Sequence, residues 1–437
     1  MKNNKYQISI LLTMISLLLL LSNNLFLYKI FAVGLSFIVI RTFISKITQE
    51  FAVFEVIFFV TVLQLFILPM MDKNLSNLQE YLLIMGGGIL SFYYACNLGR
   101  KRIIFKKNSI VLFIGNRKNF LLLKGIMLLG ICFKILTTYK SFSFDLILNL
   151  ITSVGYVFSI VLLYKEKKKY LIYPIIYFLL FLNVAIRTTV FAEFILSGML
   201  LFVFIPTLFN LNKKQVLLVL IFGFFVISFL NTVKTAYRSL VWVGDSRGFS
   251  LELFIDSVFE NERENDGYSF SERASAGSTI AQIYDYVPDH YPHTFGTQFL
   301  SDFTNSIVPR VLFPSKKDID THTNYTRYTG NLLPEDVSVG INPFGIAYAE
   351  FGVFGSWVFM FLFGRALCLL NNYLYKMISE QGNTLVLILY PLFYISFIKM
   401  EEEFVGQLNG WIKGMLFLLS FVYMYKIYKF KLNIKNA

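Results

Sequence analysis

Three arginines pose the chemical question in this chain. Arg187 lies in NVAIRTTVFAEF, Arg238 in NTVKTAYRSL and Arg310 in VPRVLFPSKK. A guanidinium stays charged and presents a planar fork of donors that matches phosphate oxygens. Three such forks near one membrane face suit the diphosphate of a lipid carrier. The alternative for each arginine is to snorkel to lipid headgroups. Pro309 and Pro314 bracket Arg310, and the fixed φ of proline would hold that side chain in one direction.

Proton-transfer groups sit close by in sequence. Asp320 and His322 fall in DIDTHTN, directly after Lys316 and Lys317. His322 reads either as a general base or sugar hydrogen-bond partner, or as an exposed loop histidine. Glu350 lies in NPFGIAYAEFGVFG. It is either a catalytic carboxylate or a helix-start carboxylate favoured by the helix dipole. Glu193 follows Arg187 by six residues, which puts it about 9 Å deeper along a helix and on another face. An ionisable group inside a span is a functional candidate, but Lys134, Lys399 and Lys413 offer it structural partners. His290 and His293 are spaced HxxH without an evident third ligand, so no metal is expected. No Gly-rich loop of the nucleotide-binding kinds is present. ATP-driven and nucleotide-sugar mechanisms are therefore not expected, and neither is a cofactor.

These residues need a scaffold, and the composition says it is a membrane one. The chain has 437 residues, 56% hydrophobic and 15% charged, with a mean hydropathy of +0.60. Soluble domains carry about 25% charged residues. Continuous apolar runs of roughly 20 residues match helices crossing a bilayer, whereas barrel strands would alternate over about 10. The fold class is an all-α polytopic membrane protein. Twelve spans are expected, near 8–22, 25–40, 51–69, 79–98, 119–138, 145–164, 170–185, 188–209, 215–233, 344–370, 384–400 and 408–428. The first is read as an uncleaved span, because no small-residue cleavage site follows it. Cys96, Cys132 and Cys368 are scattered and form no CxxC pair, so they read as packing residues.

The net charge of +13 is a topology signal and does not call for a nucleic-acid partner. Lysines and arginines cluster in alternate linkers, among them RTFISK, GRKRIIFKKNSIVLFIGNRKN, KEKKK and NLNKKQ. The positive-inside rule then places these linkers and both termini in the cytoplasm. Residues 234–342 break the rhythm. They hold nine Lys and Arg against fifteen Asp and Glu, a net −6, while the rest of the chain carries +19. All three histidines and five of the ten prolines lie there. Loops this long are usually functional or disordered, and the aromatic content of this one favours an ordered outer domain of short helices. SERASAGSTIAQIYDYVP, residues 271–288, reads as one such helix stopped by Pro288. The chain thus divides into a bundle at 1–233, a large extracytoplasmic loop at 234–342 and a second bundle at 343–437.

Four elements, AIRTTVFAEF, KTAYR, PRVLFPSKK and YAEFGVFG, together with this topology, resemble the O-antigen polymerase (Wzy) family of oligosaccharide repeat-unit polymerases. Many members carry a Glu two residues before the Tyr of the last element. Here Ile346 holds that position, and Glu350 comes two residues after Tyr348. The resemblance implies a GT-C-like glycosyltransferase in the bacterial cytoplasmic membrane. A growing glycan on a polyprenyl diphosphate would pass to the end sugar of an incoming lipid-linked unit, outside the membrane and without metal. Arg187, Arg238 and Arg310 would neutralise the leaving diphosphate, and Glu350, His322 or Asp320 would accept the proton. Lys316, Lys317, Asp320, Arg327, Tyr348 and Glu193 are the candidate substrate-binding residues. Membrane lipid, a chain-length regulator and a flippase are the implied partners. An O-antigen ligase, or a lipid-linked oligosaccharide flippase, is the competing assignment. The flippase would call for short loops throughout and polar residues lining the spans.

Overall fold

The computed structural model describes residues 24–72, 75, 77–104, 106–139, 145–188, 192–223, 225, 277–307, 321–333, 339–398 and 402–434. The expected span at 8–22 lies outside them. Among the described residues the chain is helical, with one isolated bridge between Glu50 and Ile104. Among the described residues seven helices are long and apolar enough to cross a membrane. The remaining expected spans are shorter, less apolar or partly outside the described residues.

The first half runs α1 (Leu25–Lys46), α2 (Val53–Met71), α3 (Leu78–Asn97), a short α4 (Lys107–Gly115), α5 (Arg117–Tyr139), α6 (Asp145–Leu162), α7 (Ile172–Thr188), α8 (Ala192–Leu208) and α9 (213–223). Asn24 starts α1 by accepting hydrogen bonds from Phe26 N and Leu27 N, the donors that a helix start leaves unpaired. Within α2 a π-turn spans Leu63–Ile67. Pro69 has no N–H to give the Leu65 carbonyl, and the Tyr81 hydroxyl of α3 donates to it instead, at 2.8 Å.

Then come three short helices, α10 (Gly277–Tyr286), α11 (Thr297–Ile307) and α12 (Thr321–Thr329). α13 (Pro343–Ser379), α14 (Thr384–Leu389), a 3₁₀ stretch at Tyr390–Phe397 and α15 (Phe404–Ile434) complete the chain. The expected span at 384–400 is thus half α-helix and half 3₁₀, and the change falls at Pro391, where an α-helical hydrogen bond cannot form.

The bundle has two unlike ends. One gathers Lys46, Arg100 and the linkers rich in lysine and arginine. The other carries α10–α12. α3 and α13 pack closely. A side chain at Gly87 would collide with the Trp357 ring, and one at Gly364 would meet the Phe92 carbonyl at 2.9 Å. Small residues there let the two helices approach closely, and the Trp357 indole donates to the Ile84 carbonyl at 3.2 Å. α10 sits on the loop end of α2 and α3, with Asn77 bonded to Asp285, so the short helices are docked on the bundle.

Candidate active site

The site begins at the start of α13. Asn342 caps it, accepting from Phe344 N at 3.0 Å and Gly345 N at 2.9 Å, and Pro343 takes the first turn, where its missing N–H costs nothing. Residues 343–350 are all buried. At Gly352 the backbone turns to φ 68° and ψ −170°, and the helix kinks. Only glycine adopts this region freely. A Cβ at 352 would also press on His293 Nε2 at 3.3 Å. Glu350 therefore ends a short buried helix just ahead of the long apolar one.

Glu350 is fully buried and receives three donors. Its Oε1 accepts from the Tyr328 hydroxyl at 2.5 Å. Its Oε2 accepts from Gly296 N at 2.9 Å and from the Thr294 hydroxyl. The Glu350 carbonyl takes Phe295 N at 2.9 Å, and His293 Nδ1 meets the Ala349 carbonyl at 2.9 Å. Phe295 and Gly296 both have positive φ, 50° and 88°. That turn aims Phe295 N at the Glu350 main-chain carbonyl and Gly296 N at its carboxylate. Hydrogen bonds to a charged group are worth about 1.5–3 kcal/mol each, so the carboxylate is the clamp between segment 293–296, α12 and α13. Burial, and next the carboxylate beside it, push the Tyr328 phenol well above its ordinary range.

α12, THTNYTRYT, serves two neighbours. Tyr328 faces Glu350, while Arg327 and Asn324 face a second polar group. Arg327 pairs with Asp302 Oδ2 at 3.1 Å and donates to Asn324 Oδ1 at 2.8 Å. Gln298 holds the other Asp302 oxygen at 3.0 Å. Asn324 Nδ2 reaches Glu403 Oε1 at 3.4 Å, a long contact. Glu403 Oε2 accepts from Gly406 N in the first turn of α15. The loop exit is pinned there too: Phe404 N donates to the Ile341 carbonyl at 3.0 Å, and a side chain at Gly340 would strike Glu403 N. Burial, despite the donors from Gly406, Val405 and Asn324, pushes the Glu403 carboxyl up from the usual range, and Asp302 adds to the shift.

The expected residues fall into three groups. Glu350, Tyr328's neighbour Arg327, Tyr348 and His322 lie on α12 and α13. Tyr348 is buried, donates to the Val287 carbonyl at 2.9 Å and packs on Tyr284 and His293, so its hydroxyl is committed to the fold. His322 opens α12, half-buried. Glu193 belongs elsewhere: it pairs with buried Lys134 of α5, which also lies over the Phe181 ring at 5.0 Å. Arg187 is on the last turn of α7, toward the loop end. Arg238, Arg310, Lys316, Lys317 and Asp320 lie outside the described residues. His290 stacks on Tyr286, and among the described residues no cluster of His, Cys, Asp and Glu could hold a metal. Sequence reasoning missed Asp302, Asn324 and Glu403. The signal for Glu403 was present in MEEEFVGQLN, three carboxylates abutting the start of an apolar run.

An all-helical membrane bundle with a cap of short helices over a buried polar cluster is the class of protein that fold and site define. Residues 103–432 match the family described as Domain of unknown function (DUF8712), and the chain belongs to that family. No curated protein and no solved structure matches it.

Proposed function

We propose that this protein is a glycosyltransferase that polymerises polyprenyl-diphosphate-linked oligosaccharide units into a surface polysaccharide. The observation that carries the reading is the docked cap. Segment 293–296, α12 and the YAEFG turn of α13 converge on Glu350 at the end of the bundle opposite the basic linkers. By the positive-inside rule that end is the outer face of the bacterial cytoplasmic membrane, where lipid-linked units are presented. With the spans beyond the described residues the bundle would have about twelve.

In the reaction an acceptor hydroxyl attacks the anomeric carbon of the donor glycan, and the bond from that carbon to the diphosphate oxygen breaks. Charge grows on the diphosphate. Preorganised cations aimed at that growing charge do most to lower the barrier. Arg187, Arg238 and Arg310 take that role, with Lys316 and Lys317 following Arg310 in sequence. Glu350 acts as a positioning residue, since both its oxygens already hold donors of the cap. Arg327 orients the α12 face, and Asp302 holds its fork.

The test is genetic and chemical. Deleting the gene should leave a single repeat unit on the acceptor, and wild type, but not Arg310→Ala, should restore the ladder on a gel. Full-length polymer stranded on the lipid carrier would identify a ligase. Units trapped on the cytoplasmic face would identify a flippase.

A further inference from the structure

We propose that α11 and the turn before it lie in the outer leaflet of the bilayer, with Phe295 and Leu300 in contact with lipid acyl chains. This needs only a membrane bundle and stands apart from the glycosyltransferase reading. The depth is read from α13. Asn371 Nδ2 donates to the Lys101 carbonyl of the basic linker at 2.8 Å, which marks the boundary at the basic end. From Asn371 back to Gly352 is about 28 Å at 1.5 Å per residue, close to one hydrocarbon thickness. Gly352 is where the helix kinks. Phe359 then lies about 10 Å inside the outer boundary by the same rise. Phe299 of α11 meets the Phe359 ring edge-on at 5.6 Å and stacks on Phe404 at 5.6 Å. A helical side chain leans back toward its helix start, so this contact falls about 5–10 Å deep, where interfacial helices lie.

The uncovered side of α11 continues a lipid-facing surface. Phe354, Val358 and Leu362 are exposed in a row along α13, a helix long and apolar enough to span. Phe359 follows Val358 by about 100° around that helix, so α11 borders the row. At its head, Phe295 N donates to the Glu350 carbonyl, and a Cβ at Gly296 would strike the Phe351 ring. Phe295 is 76% exposed and Leu300 56%. Leu300 N donates to the Gly296 carbonyl at 2.9 Å, so the two residues flank the first turn as a hydrophobic staple would. A staple covers its two side chains, whereas these stay open.

The polar groups agree with that placement. Phe295 to Ile307 holds a single charge, Asp302, and it is turned to Arg327 and Gln298. A helix face in water normally carries charged residues. The exposed hydroxyls of Thr297 and Thr304 are spent on the Thr294 and Leu300 carbonyls, at 2.9 and 2.8 Å. Immersion sets the Glu350 clamp at the boundary between lipid and water, because one turn carries Phe295 to the lipid and Gly296 N to the carboxylate.

The experiment uses the full chain in vesicles of phosphatidylethanolamine and phosphatidylglycerol. Cys96 and Cys368 are buried, so Cys132→Ser removes the exposed thiol. Nitroxide labels are then attached through Phe295→Cys and Leu300→Cys, with Val358→Cys as the lipid reference and exposed Asp289→Cys as the water reference. Collision with oxygen is compared with collision with a water-soluble nickel chelate. The expected result is a severalfold higher oxygen-to-nickel ratio at Phe295→Cys and Leu300→Cys than at Asp289→Cys, approaching that at Val358→Cys. Wild type, which carries no substitution, is also irradiated with a phospholipid bearing a diazirine on its acyl chain, and labelled peptides should include 295–307. Nickel access equal to that at Asp289→Cys would overturn the proposal in favour of an aqueous cap. Poor access to both reagents with spin–spin broadening would overturn it in favour of a second copy of this chain on the patch. Acyl-chain labelling of α13 that spares 295–307 would overturn it as well.

Discussion

The two ends of the bundle bury carboxylates by opposite means. At the basic end Glu55 of α2 is buried against two cations, Lys46 at 2.7 Å and Arg100, and Arg100 also lies 4.7 Å over the Phe54 ring. The linker that carries Arg100 is then stitched to α13 through Asn371 Nδ2 to the Lys101 carbonyl and Asn372 Nδ2 to the Gly99 carbonyl, at 2.8 and 3.0 Å. At the loop end Glu350 and Glu403 are held by hydroxyls, amides and a carboxamide. A carboxylate matched by cations is electrically closed, and its job is to join helices. One held by neutral donors has no cation to close it, and what it joins is a cap of short helices. The contrast separates a structural lock from a site.

The largest effect should come from breaking the lock. Arg100→Met strands Glu55 beside a single lysine, and removing one partner of a buried pair costs about 3–5 kcal/mol. We expect the purified variant to melt well below wild type, while the molecules that remain folded turn over normally. A normal melting temperature would mean that Glu55 is not closed by Arg100.

Next come the residues of the cap. Glu350→Ala leaves the Tyr328 hydroxyl and Gly296 N without acceptors, at about 1–3 kcal/mol for each buried group left unpaired. It should release segment 293–296 and abolish polymer formation. Tyr328→Phe removes one donor and should cost about 1 kcal/mol, with a partial loss of activity. Equal activity in Tyr328→Phe and Glu350→Ala would detach the clamp from function. Gly352→Ala should fall between them, since φ 68° with ψ −170° is a region almost confined to glycine, whose strain costs about 1–3 kcal/mol, and the new methyl meets His293.

The sequence made the bundle plain where a long apolar run lacks proline. α5 and α6 begin and end within two residues of the expected 119–138 and 145–164. The α10 helix was legible too, because Pro288 marks its end. The kink at Gly352 was not, for a glycine in an apolar run reads equally as a packing notch, as Gly364 proves to be. The site divides the same way. Glu350 stood out because an acid so near an apolar run needs a reason. Glu403 did not, because it is the last of three consecutive glutamates in a linker, and its separation from Glu402 depends on Gly340, Asn324 and the first turn of α15 meeting in space. The α12 helix escaped notice because THTNYTRYT has almost no apolar period, and the carboxylates that its two polar faces meet, Glu350 and Asp302, are far away in sequence.

The smallest effect sharpens the comparison most. Glu50 sits beside the lock, and burial, then the neighbouring Glu55 charge, push its carboxyl up, as burial does for Glu403. A carboxyl whose pKa is raised by folding stabilises the fold below its unfolded pKa and loses that contribution as pH rises through the folded value. Both Glu50→Gln and Glu403→Gln should therefore melt slightly above wild type at neutral pH, with the gain shrinking as the pH falls into the acid range. Turnover should tell them apart: Glu50→Gln keeps the wild-type rate, and Glu403→Gln, which loosens the contacts with Asn324 and the first turn of α15, lowers it. If both lose activity together, the ends of the bundle are coupled. The lock would then set the geometry of the site across the length of α13, which reaches both ends.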